Sequence, residues 1–371
     1  MTHIKNLVVG CGLSGITVAQ QLAQRGEDVL IIDAKTHIGG NSYDFYDKNG
    51  ICIHQYGTHI FHTNLKPVWE YVSRFTSWVP YMHRVKGLVD GQEIPIPFNL
   101  ESIAQVFPAA MAACLTDKLV SRFGFNVKVP ILKLRATQDK DLEFLADYIY
   151  EKIFLHYTQK QWGLTPEELD PGVTGRVPVY ISRDNRYFQD IYQGIPAQGY
   201  TAMMQNMLNT PRICVQLDTP FHAVKDTLTW ERLFYTGSID EFFDYKYGEL
   251  PYRSLHFDFV EYNREYFQDN AVINYPCNYD FTRIGEYKYF LNDKSPHTVV
   301  SYEYPCAFKR GKNERYYPIV KAENQALYNK YLAEAQTLPH TYFLGRLGDY
   351  TYYNMDQAIY RALCLTAGQE I

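Results

Sequence analysis

The sequence lacks a basic footprint. Its 371 residues carry a formal net charge of −5, with 36 basic and 41 acidic residues interspersed. Nucleic acid is therefore excluded as the main partner. No apolar run approaches membrane-spanning length, which excludes a helical span. The chain enters its first apolar run within a few residues, so we expect no signal peptide and a cytoplasmic protein. Seven cysteines are scattered without a C-x-x-C pair. That excludes a disulfide scaffold and a cysteine-based zinc site, and fits a reducing compartment. Internal repeats and low-complexity segments are absent too. The length allows one to three domains and a sizeable core. Aromatic residues are abundant, at 16% with 33 tyrosines. Tyrosine offers a flat apolar face and a polar tip. Clusters in polar stretches, at Tyr316-Tyr317 and Tyr350 to Tyr353, suit recognition of a sugar or a base.

The most informative stretch is glycine-rich. An apolar run at Leu7 to Val9 precedes Gly10-Cys11-Gly12-Leu13-Ser14-Gly15, and a helical pattern follows. Asp33 closes the next apolar run, Val29 to Ile32. This is the G-x-G-x-x-G unit of a dinucleotide-binding Rossmann fold in its strand, turn, helix and strand context. The first glycine allows the turn, and the second lets backbone approach a pyrophosphate. The third lets helix pack on strand, and the acid takes ribose hydroxyls. The pyrophosphate belongs at the helix N-terminus, beside Leu13 and Ser14, where N–H groups and the dipole favour anions. A second glycine pair, Gly39-Gly40 before Asn41, resembles the extended fingerprint of FAD enzymes of the glutathione-reductase type. That implies FAD, with NAD as the alternative.

The rest of the chain divides by pattern. A helix is expected near Lys66 to Arg74, started by Asn64 and Pro67. Val79 to Phe98 reads as strand. Residues 99–161 read as helical, with the best helix at Asp141 to Tyr157, capped by Asp139 or Asp141. Residues 163–186 lose periodicity and read as a long loop of the lid or binding kind. Residues 230–237 form a strand ending in Thr236-Gly237. Residues 252–310 suggest an antiparallel sheet. A final helix runs from about Asn354 to Ala367. The expected fold class is α/β. A discontinuous Rossmann-like FAD domain (1–78, 200–245 and 312–371) joins a helical domain (99–175) and a sheet domain (79–98, 187–199 and 246–311).

Five segments carry a family resemblance. They are His54-Gln55-Tyr56-Gly57-Thr58-His59-Ile60-Phe61-His62-Thr63-Asn64, Tyr157-Thr158-Gln159-Lys160-Gln161-Trp162-Gly163, Tyr192-Gln193-Gly194-Ile195-Pro196-Ala197-Gln198-Gly199-Tyr200, Asn270-Ala271-Val272-Ile273-Asn274, and Gly345-Arg346-Leu347 with Tyr352-Tyr353-Asn354-Met355. Together they closely resemble bacterial UDP-galactopyranose mutases, from residue 4 to about 367. The resemblance implies an isomerase that interconverts UDP-galactopyranose and UDP-galactofuranose with reduced FAD, through a flavin N5–sugar adduct. It also implies a homodimer, a reductant such as NAD(P)H, and a part in cell-surface polysaccharide synthesis.

The resemblance further assigns residues. Arg176 and Arg283 hold the leaving diphosphate, for which guanidinium is suited. Tyr157, Thr158, Trp162, Tyr187, Phe188 and Asn274 lie on the uridine side. Tyr317, with Tyr316 as its alternative, and Tyr352 supply hydroxyls to the phosphates. His62 stands against the flavin, and His59 and Arg346 stand near the cofactor. Asn354 and Met355 open a helix whose N-terminus favours a reduced, anionic flavin. His83 and Asn354 depart from the Asn and Asp found in some relatives, as Ile153 departs from an aromatic. His59 and His62 form an H-x-x-H pair, but beyond His54 no further ligand has zinc spacing, so no metal is expected. Competing readings are a mutase on UDP-N-acetylgalactosamine and a flavin oxidoreductase of the amine-oxidase type.

Overall fold

The structure is a computed structural model that describes residues 2–168 and 178–368. The chain forms two compact units. The first comprises Met1–Tyr81, Asp190–Ser254 and Phe308–Ile371, and the second Met82–Gln189 and Leu255–Ala307.

The first unit is built on a five-stranded parallel sheet. Its order is Ile213–Gln216, Val29–Ile32, Thr2–Val9, Leu228–Tyr235 and Thr341–Phe343. Parallel strands are covered on both faces and so read as continuous apolar runs. Val29 to Ile32 are all buried, as are Leu7 and Val8. Helix Leu13–Gln24 buries ten of its twelve residues. From the first strand the chain pairs Val29–Ile32 on one side and Leu228–Tyr235 on the other. Ligands of open α/β sheets bind at such a reversal, outside the carboxyl ends of the strands.

Several expectations need correction in this unit. Tyr192–Pro196 does not join the larger sheet. It pairs antiparallel with Phe61–Thr63 and Trp78–Pro80. The reason is aromatic packing, since Trp69 stacks on both Trp78 and Tyr192 at 4.4 and 5.2 Å. Helix Lys66–Val72 is capped at Leu65 and not Asn64. Asn64 is committed elsewhere: its amide donates to Asp190, and its oxygen accepts the Ile191 N–H at 2.9 Å. Tyr350 is core, not a recognition residue. It is 1% exposed, stacks on Tyr328 and donates to the Pro251 carbonyl at 2.7 Å.

The main sheet of the second unit holds six strands in the order Tyr252–Tyr262 (from Leu255 on), Thr298–Ala307, Arg283–Glu286, Val272–Asn274, Val85–Val89 and Gln92–Ile96. The expected antiparallel pattern has one exception, because Val272–Asn274 runs parallel to Val85–Val89. The long helix extends past both expected ends. It starts at Lys140, capped by the Asp139 carboxylate, passes through a π-helical stretch at Tyr150–Leu155, and ends at Trp162 before Gly163 in the left-handed conformation. Two segments read as helix and loop contain strands instead. Val127–Val129 and Val179–Ile181 pair antiparallel, because each is too short to persist without its partner.

Asn99 is the best-tied polar residue of this unit. It is 1% exposed. Its oxygen accepts the Glu101 and Ser102 N–H groups, and its amide donates to the Asp184 carbonyl and Asn185. One side chain thus caps helix Leu100–Val106 and fixes the turn before Tyr187. Asn99→Ala should lower stability by about 1–3 kcal/mol through the lost cap and orphaned groups. A urea midpoint equal to wild type would refute this.

In the first unit, His54 is buried and its Nδ1 accepts the His59 N–H at 3.0 Å. Burial pushes its pKa down to about 3. The unfolded state binds a proton below its ordinary pKa of about 6.5, and the folded state does not. Stability is therefore present above that value and lost as pH falls, at up to about 1.4 kcal/mol per pH unit for one site. His54→Gln keeps an acceptor and should flatten the decline of the urea midpoint between pH 7 and 5. An unchanged slope would exclude His54 as its source.

Candidate functional site

A cavity of about 420 Å³ opens at the carboxyl ends of the parallel strands. Gly10, Gly12, Leu13, Ser14, Asp33, Gly39, Gly40 and Asn41 line it, as do His59, Arg346, Asn354 and Met355. Glycine is required at two of these turns. Gly10 has φ +102°, and a Cβ there would lie 1.9 Å from Thr236 Oγ1. At Gly15, which packs behind the lining, a Cβ would lie 2.0 Å from the Gly10 carbonyl oxygen. Gly12 and Gly40 face each other, so that a Cβ on Gly40 would meet the Gly12 Cα at 3.2 Å. The floor is bare backbone. No side chain caps helix Leu13–Gln24 at Gly12. Its N-terminus is open to an anion.

Asp33 holds the turn together. Its carboxylate accepts the Cys11 N–H at 2.6 Å and the Lys35 N–H at 2.8 Å. His59 donates from Nδ1 to the Gly57 carbonyl at 2.7 Å. Burial first, then His54 and Arg346, push its pKa down to about 3, so the ring is neutral at the cavity wall. Helix Met355–Thr366 starts at Asn354, whose N–H donates to Gln357 Oε1 at 2.9 Å.

Beside it Arg346 donates to the carbonyls of Tyr316 (3.1 Å) and Tyr353 (2.6 Å). Its guanidinium lies 5.4 and 5.0 Å from the rings of Tyr317 and Tyr352, which stack at 5.1 Å. Tyr316 is buried, 4% exposed, and packs towards Tyr56. The structure therefore separates the adjacent tyrosines: Tyr317 joins Tyr352, and Tyr316 turns inward. His62 binds Asp190 through Nδ1 at 2.6 Å. It is absent from the cavity lining.

The second unit assembles a different cluster. Register places Asn274 opposite Arg283, and Arg283 opposite Glu303, in one row across three strands. Arg283 donates from Nη2 to the Tyr157 hydroxyl at 2.9 Å and lies 3.3 Å from Glu303. Burial raises the Glu303 pKa, and the arginine opposes this. Tyr157 is half-buried, and the desolvation of its hydroxyl raises its pKa. Thr158 is buried on the same helix, and Trp162 ends it. His83 is buried with its ring 5.8 Å from Tyr187 and 6.1 Å from Phe188. The Tyr187 N–H donates to the His83 carbonyl at 2.7 Å. Arg176 lies outside the described residues.

Sequence reasoning missed Glu303 and Asp190. Both had a faint signal. Glu303 is an acid between Tyr302 and Tyr304 in an alternating strand, and Asp190 follows Tyr187-Phe188-Gln189. Asp44, Cys52 and His54 place potential metal-ligand atoms within 4.8 Å. The Asp44 oxygens, however, accept the N–H groups of Tyr200 and Thr201 at the start of helix Gly199–Leu208.

Known proteins match this arrangement. A family model for UDP-galactopyranose mutase matches residues 152–352, and one for an NAD(P)-binding Rossmann-like domain matches residues 8–75. A protein of Klebsiella pneumoniae named "Probable UDP-galactopyranose mutase" is 39% identical, over 98% of this chain and 94% of the relative. A dTDP-fucopyranose mutase of Escherichia coli is 36% identical, over 97% of this chain and 96% of its own. The fold resembles a crystal structure of reduced UDP-galactopyranose mutase, with TM-score 0.74 and 15% identity, over 99% of this chain and 93% of that one. A relative at 39% identity over nearly the whole length places the chain in the UDP-galactopyranose mutase family.

Proposed function

We propose that the protein is an FAD-dependent isomerase that interconverts UDP-galactopyranose and UDP-galactofuranose. The observation that carries this reading is Arg283, held by Tyr157 and Glu303 in a row with Asn274. Breaking the bond from the anomeric carbon to UDP develops charge on the diphosphate. A guanidinium fixed before the reaction stabilises that charge more in the transition state than in the ground state. Arg176 is its partner in this proposal. Tyr317 and Tyr352, stacked beside Arg346, carry hydroxyls that suit a phosphate. Tyr157, Thr158, Trp162, Tyr187, Phe188, Asn274 and His83 receive the uridine, for which aromatic faces and an amide edge are suited.

The first unit fits FAD. A bare glycine floor and an uncapped helix N-terminus suit its pyrophosphate, and Asp33 suits its ribose. When bound in its reduced form, FAD supplies a nucleophilic nitrogen for the anomeric carbon. The start of helix Met355–Thr366 favours a nearby anion by roughly 0.3–1 kcal/mol. Asp190 fixes the Nδ1 side of His62, which in this reading stands near the flavin. The same reading carries a cytoplasmic homodimer, a reductant such as NAD(P)H and a part in making surface polysaccharide.

A second reading has its own support. The Escherichia coli relative at 36% identity is named for dTDP-fucopyranose. That sugar nucleotide differs in base, ribose and the sugar's C6. Dithionite-reduced enzyme assayed on UDP-galactofuranose and dTDP-fucofuranose, with the pyranose products separated by chromatography, decides between them. The first reading expects the larger kcat/KM on UDP-galactofuranose. Turnover of neither sugar would overturn both.

Arg283→Ala should lower kcat by roughly 10²–10³ with FAD still bound. Wild-type turnover in this variant would show that the diphosphate is held elsewhere. Gly10→Ala should purify with little FAD, because its Cβ would meet Thr236 Oγ1. A flavin absorbance ratio equal to wild type would refute the cradle.

A further inference from the structure

We propose that Lys160 is a positioning residue that sets Arg283 by clamping the loop leading into it. The loop spans residues 275–282. It joins strand Val272–Asn274 to strand Arg283–Glu286, and Asn274 and Arg283 face each other at its base. The Tyr275 N–H closes it on the Thr282 carbonyl at 2.8 Å. The Lys160 ammonium donates to three carbonyls of this one loop: Tyr275 at 2.5 Å, Tyr279 at 3.1 Å and Phe281 at 3.1 Å.

Chemistry explains the residue type. An ammonium carries three diverging donors, whereas a guanidinium carries a flat fork. Only lysine can gather three carbonyls that converge on a point. The loop's carbonyls point at the helix and need partners there. A second tie helps, from Cys277 Sγ to the Lys152 carbonyl at 3.6 Å. Burial lowers the Lys160 pKa, as it does for a charge removed from water.

The helix makes the coupling direct. Tyr157 and Lys160 stand three residues apart on helix His156–Trp162, hence on one face. Tyr157 accepts from the Arg283 guanidinium, and Lys160 holds the backbone just before Arg283. One helical turn thus fixes both the head and the root of the arginine. Moving the root would break the Tyr157 contact even with every other residue intact. Lys160 touches no reacting atom in this account.

The inference rests on Arg283 as the diphosphate ligand, and the test separates the two. Calorimetry with UDP would be run on FAD-loaded wild type, Lys160→Met, Arg283→Ala and the double variant. Lys160→Met should weaken UDP about tenfold or more, with FAD content unchanged. The double variant should bind no more weakly than Arg283→Ala alone, because both act through one group. A purely structural lysine gives additive losses, and additivity would overturn the proposal. Lys160→Arg keeps the charge without three converging donors and should match Lys160→Met, so wild-type affinity in it would also overturn it. Amide exchange needs no ligand. It should quicken across residues 275–282 in both Lys160 variants, and unchanged exchange would sink the clamp. Wild-type enzyme that ignores UDP would refute the function proposed above, while exchange would still decide the clamp.

Discussion

Contact of backbone on backbone at the first turn is the constraint on which the first unit depends. Gly15 brings the start of helix Leu13–Gln24 onto the Gly10 carbonyl, closer than any Cβ permits. Gly10 in turn sits against Thr236, at the end of the strand that pairs with the first. The first strand, the helix that follows it and a strand far away in sequence therefore converge where side chains are missing. That absence leaves room for a ligand whose phosphates need N–H groups. Asp33 stiffens the same turn through the Cys11 and Lys35 amides, beside the ribose role proposed for it.

The second unit solves another problem, that of holding a half-buried cation in place. Arg283 shares its row with Glu303, and removing the cation would leave a buried carboxylate without its counter-charge. Glu303 is 4% exposed, so its raised pKa reflects burial that the arginine only partly offsets. The Tyr157 hydroxyl takes one arm of the guanidinium. In the function proposed above, a guanidinium fixed this way need not reorganise when a phosphate arrives, and preorganisation is the larger part of electrostatic catalysis.

Tyrosine does several separate jobs here. Tyr200, Tyr331 and Tyr350 are fully buried and use their hydroxyls on main-chain carbonyls or amides. Tyr317 and Tyr352 form a stacked pair beside Arg346. Tyr157 is half-buried and commits its hydroxyl to one arginine. Composition flagged the excess, but a residue with an apolar face and a polar tip fits both core and site. Tyr350 and Tyr352 are two residues apart and have opposite fates.

The sequence by itself determined whatever depends on neighbours in the chain. The glycine turn, Asp33, a cap at Asp139 or Asp141 and the final helix from Asn354 were legible because each rests on contacts within a few residues or on one strand–helix–strand unit; the structure chose Asp139. The string around Tyr157 and the segment ending at Asn274 stood out through resemblance, and the uridine side is proposed from them. Tertiary structure alone decided the pairings across long separations. Register set Glu303 beside Arg283, packing on Trp69 drew Tyr192–Pro196 away from the larger sheet, and mutual pairing made strands of Val127–Val129 and Val179–Ile181. Lys160 belongs to the same class. Three carbonyls more than a hundred residues away give it a role, and no local pattern encodes where those carbonyls will point.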